Sequence, residues 1–174
     1  AGRRVFDVKV NGFDFESGLD VYSRVGCDKA LVIQKVVRIV DSKLKILFIR
    51  RSQNPMISFI QVKPYTGDDL PPPTSNVVFF QQAIRDGFVG GAETLGYSSG
   101  ELVSGDLKGF APEYFQTHRW GGGVFWYEIP LPWLPLGVTH VLLTLGFAEL
   151  WKPACAAGRR VFDVKVNGFD FESG

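Results

Sequence analysis

The chain has 174 residues, with 19 Lys and Arg against 18 Asp and Glu. A net charge of +1 offers no electrostatic footprint for nucleic acid or an anionic membrane, and no apolar run approaches the ~20 residues that span a bilayer. Aromatic residues at 14% together with 20 glycines suit an all-β protein with many turns, or one that stacks flat ligands.

Taken in chain order, the first feature is a duplication. Residues 1–18 read AGRRVFDVKVNGFDFESG, and residues 157–174 repeat them without a change, an offset of 156 residues. Diverged duplications inside one globular domain do not stay identical over such a length. The expected source is a window cut from an array of 156-residue units, or an engineered circular permutant with a duplicated strand. Within the copied segment, Val5 to Val10 alternates apolar and polar residues before Asn11-Gly12, the pattern of a strand entering a tight turn. A strand is an odd place to begin a domain, so the boundary between units is expected inside the chain.

Leu31 to Val40 and Leu44 to Arg50 are short β-branched runs separated by Asp41-Ser42-Lys43, which reads as a hairpin, and Met56 to Val62 follows as a further strand. Residues 64–75, PYTGDDLPPPTS, form the one linker-like stretch, because three consecutive prolines favour a stiff extended spacer. Beyond it, Asn76 to Phe80 reads as a strand and Gly90 to Gly109 as a glycine-rich loop. Tyr114 to Trp120, Val124 to Ile129 and His140 to Phe147 read as strands, the last two separated by a proline-rich loop at 130–135. Val161 to Val166 repeats the first strand. Short strands at this spacing imply an all-β fold, a two-sheet antiparallel β-sandwich read in permuted register. The expected organisation is the C-terminal half of one sandwich at 1–64, a linker at 65–75, and at 76–174 the N-terminal half of the next sandwich, or of the same one permuted.

Cys27 and Cys155 lie outside the copied segment and outside any metal-binding spacing. In an array, Cys155 precedes the next copy of Cys27 by 28 residues, a comfortable loop for a disulfide. Two free buried thiols are the alternative reading. A disulfide would place the protein outside the cytosol, secreted or on the cell surface. Bonding within one chain favours a permuted sandwich, and bonding between copies favours an array.

Catalytic chemistry is sparse. His118 and His140 are the only histidines; His140 sits in an apolar strand, whereas His118 lies among aromatics and is placed to hydrogen-bond a ligand. No G-x-S-x-G elbow, P-loop or H-E-x-x-H helix occurs, and Gly121-Gly122-Gly123 lacks the lysine and helix that phosphate cradling needs. Asp7, Asp14, Asp20, Glu113, Glu128 and Glu149 could supply a glycosidase pair only if geometry selected two of them. Asp7 and Glu149 read better as acceptors of backbone N–H groups. No enzyme activity, metal or cofactor is expected.

Four ordered motifs carry a family resemblance: aromatic-Gln-Thr-x-Arg at 115–119, a strand ending in Ile129-Pro130, Phe147-Ala148-Glu149, and Val161-Phe162-Asp163-Val164-x-Val166-Asn167-Gly168. In this order they resemble malectin and malectin-like domains, and Gly90-Gly91 resembles the family's opening double glycine. The resemblance implies a jelly-roll-like sandwich without catalytic residues, binding glucose-type oligosaccharide through loop aromatics in several members. Trp151 matches one sugar-contacting aromatic, Phe115 matches another that is usually Tyr, and Gln53 stands where the family has an acidic contact. Tyr97, Tyr114, Trp120 and His118 complete the expected carbohydrate-binding set.

Two functions follow as expectations. The first is a structural repeat unit of an extracellular or cell-surface fibre, self-associating with neighbouring repeats or chains. The second is a carbohydrate-binding module for neutral oligosaccharide on a cell-wall or surface glycan.

Overall fold

Residues 8–10, 15–39, 41–67, 79–82, 89–91, 94–100, 102–132, 134–158 and 160–166 are described by a computed structural model. Alternation of apolar and polar residues generates most of its strands. The first half of the chain supplies β1 (Val8–Val10), β2 (Glu16–Leu19), the short helix α1 (Val21–Val25), β3 (Ala30–Arg38), β4 (Lys43–Ser52), β5 (Met56–Ile57) and β6 (Phe59–Tyr65). The second half supplies β7 (Phe79–Gln82), β8 (Val89–Gly91), β9 (Thr94–Ser98), β10 (Thr117–Gly121), β11 (Val124–Pro130), β12 (His140–Ala148) and β13 (Val161–Val166). Residues 68–78, most of the expected linker, lie outside the described residues, and Tyr65 still belongs to β6.

A five-stranded sheet, ordered β1-β13-β4-β11-β8, faces a four-stranded sheet, ordered β3-β12-β6-β7, and a third sheet, β5-β10-β9, adds a separate three-stranded unit. Leu44, Ile46 and Phe48 of β4 are buried at alternate positions and meet Phe125 and Tyr127 of β11, with Phe48 and Phe125 stacked at 4.8 Å. The facing sheet contributes Ile60, Val62, Val141, Leu143 and Leu145 to the same core. The period of two is what turns one face of each sheet inward. Strands from the first and second halves of the chain alternate in the four-stranded sheet and interleave in the five-stranded one, since β12 pairs with β3 and β6 while β4 pairs with β11 and β13.

Three local expectations are corrected. β3 and β4 do not form a hairpin, because they enter opposite sheets, each burying its apolar face against a partner from the second half of the chain. Asp41 and Ser42, both at positive φ, turn the chain between the layers. The strand expected at Tyr114 to Trp120 starts only at Thr117, because Pro112 opens a 3-10 turn over Pro112–Phe115 in the first-turn position that tolerates a missing N–H. The stretch 90–109 is not wholly loop, since β9 and the end of β8 fall within it. The helix α1 was not expected; Asp20 caps it by accepting the Ser23 N–H at 3.0 Å.

Among the described residues of the two copies, 8–10 and 164–166 lie side by side. β1 runs parallel to β13, with Val8 opposite Val164, Lys9 opposite Lys165 and Val10 opposite Val166. β13 holds the inner position against β4, and Val164 is fully buried. Val164 of the second copy and Phe15 of the first are both buried in the one large core.

A disulfide joins Cys27 to Cys155 within the chain, with Cα atoms 5.5 Å apart and a sequence separation of 128. Replacing both cysteines by serine is expected to cost about 2–5 kcal/mol, from the loop entropy released to the unfolded chain, read as a lowered midpoint in urea. Gly146 on β12 has no room for a side chain, since a Cβ there would fall on the buried Phe59 ring of the paired strand β6. Gly146→Ala is therefore expected to destabilise by about 1–3 kcal/mol through overpacking, measured by thermal unfolding.

Candidate functional site

The small β5-β10-β9 sheet positions one side of a cavity. His118 and Trp120 are two residues apart on β10 and so project on the same side; His118 is buried and Trp120 half-buried. Antiparallel pairing of Trp120 with Met56, and the Gly121 N–H donated to the Pro55 carbonyl at 3.4 Å, bring the Gln53–Asn54 turn beside them. Gln53 itself sits at φ 61°, a left-handed turn conformation uncommon for a residue with a side chain. The other side comes from the segment after β12, which carries Trp151, and from Arg160, which immediately precedes β13. Together Gln53, Asn54, His118, Trp120, Trp151 and Arg160 enclose a cavity of about 230 Å³.

The Trp151 segment is tied down from several directions. Glu149, 1% exposed, accepts the Trp151 N–H at 3.2 Å and forms an ion pair with Arg160, Nε to Oε2 at 2.8 Å. Its backbone carbonyl accepts the Asp28 N–H at 3.0 Å, Lys152 pairs with Asp28, and the disulfide closes the same loop at Cys155. Trp151 remains 39% exposed, with the Arg160 guanidinium 5.7 Å from its ring centre. Burial pushes the Arg160 guanidinium down from its ordinary range, and the Glu149 charge opposes that shift. Arg160 is only 7% exposed, and its Nη1 finds no hydrogen-bond partner among the described residues. Since a buried donor without an acceptor costs about 1–3 kcal/mol, that nitrogen is suited to an acceptor brought by a ligand.

Of the residues singled out in the sequence, Trp151, Trp120, His118 and Gln53 converge on the cavity. Phe115 does not: it is fully buried in a second core cluster, its ring edge-on to Phe59 at 5.2 Å. Tyr114 packs edge-on to the same Phe59 ring at 6.1 Å, because the 3-10 turn directs both rings into that cluster. The Tyr97 backbone pairs with His118 across β9 and β10. Asn54 and Arg160 were missed. Asn54 could have been found as the neighbour of Gln53, and Arg160 as the charge needed opposite a glutamate in an apolar strand end. Among the candidate acids, Glu149 and Asp20 tie loops, the latter accepting the Gly158 N–H at 2.7 Å, and Glu128 pairs with Lys43 on the surface. Asp7 and Asp14 lie outside the described residues. No cluster of metal-ligating side chains is present among the described residues.

The two-sheet sandwich thus carries a cavity lined by indole, amide, imidazole and guanidinium groups. The malectin domain profile matches residues 76–172, more than half of the chain, and the chain belongs to the malectin domain family. That family is one of non-enzymatic, carbohydrate-binding domains. The comparisons with curated proteins and with solved structures find no match.

Desolvation, followed by the nearby Arg160 charge, lowers the His118 pKa to about 3, against a smaller opposing effect of its hydrogen bond with the Ala148 backbone. The folded state therefore refuses a proton that the unfolded chain accepts below its ordinary value of 6.5. The stability contributed by the neutral ring is complete above that pH and is lost as pH falls toward 3, by up to about 5 kcal/mol. Urea midpoints of the wild type should fall with pH across this window, and His118→Gln should flatten the fall.

Proposed function

We propose that this chain is a non-catalytic carbohydrate-binding module whose ligand site is the cavity between Trp151 and Arg160. The observation that carries the reading is the pairing of an exposed indole with a buried, unsatisfied guanidinium nitrogen in one cavity. An indole face stacks on the C–H face of a pyranose, and the donors around it take the ring hydroxyls as acceptors. The lining holds no carboxylate among the described residues, since Gln53 occupies the position where the resemblance implies an acid. Neutral gluco-oligosaccharides are the ligand class proposed. Family membership supports the reading, as does the disulfide, which suits a secreted or cell-surface protein in an oxidising compartment.

A second reading, a repeat unit of an extracellular fibre, draws its support from the unchanged eighteen-residue duplication. The two readings are compatible, because a fibre can bind the glycan surface on which it lies.

Titration calorimetry with neutral glucan and galactan oligosaccharides tests the sugar site. Trp151→Ala is expected to weaken binding at least tenfold, about 1.4 kcal/mol, whereas Leu136→Ala, at a fully exposed position away from the cavity lining, should leave it unchanged. Absence of binding to any of these saccharides would sink the reading.

A further inference from the structure

By its lining alone, the cavity between Trp151 and Arg160 has the composition of an anion site. Among the described residues Arg160 is its one cation, and no carboxylate stands beside it in the wall. His118 adds no charge at ordinary pH, because burial, and after it the Arg160 charge, lower its pKa to about 3. The counterion stands behind the wall. Glu149 is 1% exposed and does not line the cavity, yet its Oε2 lies 2.8 Å from Arg160 Nε and its Oε1 accepts the Trp151 N–H at 3.2 Å. The Nε edge of the guanidinium is thus engaged from the protein side. Nη1, which has no hydrogen-bond partner among the described residues, is the donor left to a ligand.

Such a donor offers an N–H without a net charge behind it. A ligand carboxylate at Nη1 would give up its hydration, a large cost for an ion leaving water, and would meet a guanidinium whose charge Glu149 already balances. A hydroxyl oxygen accepts the same N–H and gives up far less. On the sugar-binding reading of this cavity, we propose that Glu149 makes the site select neutral sugars over acidic ones, acting through Arg160 from outside the cavity. Glu149 is then a positioning residue with two tasks: one oxygen holds the Trp151 backbone, and the other cancels the Arg160 charge. Uronic acids, pyranoses whose C6 is a carboxylate, are the class it excludes.

Titration calorimetry on a matched pair, a neutral glucose disaccharide and the same disaccharide ending in glucuronic acid, reads the effect as a ratio of two affinities. The wild type is expected to favour the neutral sugar by at least about tenfold. Glu149→Gln takes away the balancing charge at nearly the same size and should move the ratio at least about tenfold toward the glucuronate. A merely structural loss would weaken both sugars alike and leave the ratio where it was. The double change Glu149→Gln with Arg160→Gln removes both charges and should keep the ratio within about threefold of the wild type. That comparison decides the matter where the single variant, with its buried cation unbalanced, does not fold, and circular dichroism shows which variants do. A wild type that binds the glucuronate as tightly as the neutral sugar, a folded Glu149→Gln that weakens both equally, or a double variant whose ratio departs further, overturns the proposal. Binding of neither disaccharide removes the sugar site itself, whereas equal binding of both leaves that site standing and overturns the role of Glu149 alone.

Discussion

The buried ion pair between Glu149 and Arg160 is the interaction on which the candidate site depends. Glu149 directly follows β12, holds the Trp151 backbone, receives the Asp28 N–H on its carbonyl and neutralises the guanidinium that lines the cavity. Removing either charge alone would leave the other buried without a counterion, a loss of about 3–5 kcal/mol, so the pair stands or falls together. The disulfide lies directly behind it, at the bridge between Cys27 and Glu149. One covalent and one electrostatic tie thus fix the same short loop from two sides, and the exposed tryptophan is held beside a buried ion pair.

This arrangement explains how a sandwich core and a polar cavity share so few residues. β12 is buried along nearly its whole length, and Glu149 follows it directly. The neutral His118 sits beneath the cavity because the apolar surroundings and the Arg160 charge both exclude a second positive charge. The electrostatics of the lining are therefore set once, by Arg160 and its partner, and the remaining groups are uncharged donors and acceptors.

Much of the fold was legible in the sequence because its strands advertise themselves by period-two alternation. β4, β11 and β13 lie where the alternating runs placed them, and β12 where a short continuous apolar run did. What alternation cannot encode is which strand pairs with which: β3 and β4 are neighbours in sequence yet belong to different sheets, because both need partners from the other half of the chain. At the site, Trp151, Trp120, His118 and Gln53 were legible from residue type and family motif. Phe115 and Tyr114 carried the same signal but turned into the core, since a proline two or three positions earlier started a 3-10 turn that redirected both rings. Arg160 was hidden because only the pairing of β13 in the folded sandwich brings it to Glu149, eleven residues away, and no local pattern links the two charges.

The identity of the two copies has a consequence for how this molecule reports on itself. Any peptide cut from within residues 5–10 has the same mass and composition as its counterpart from 161–166, yet one strand lies at the sheet edge and the other between two neighbours. In amide hydrogen exchange their deuterium uptake would therefore merge into one mass envelope with two populations, a fast one and a slow one. Bimodal uptake in that peptide would signify two places in one molecule, where it is ordinarily taken to signify two states of one place.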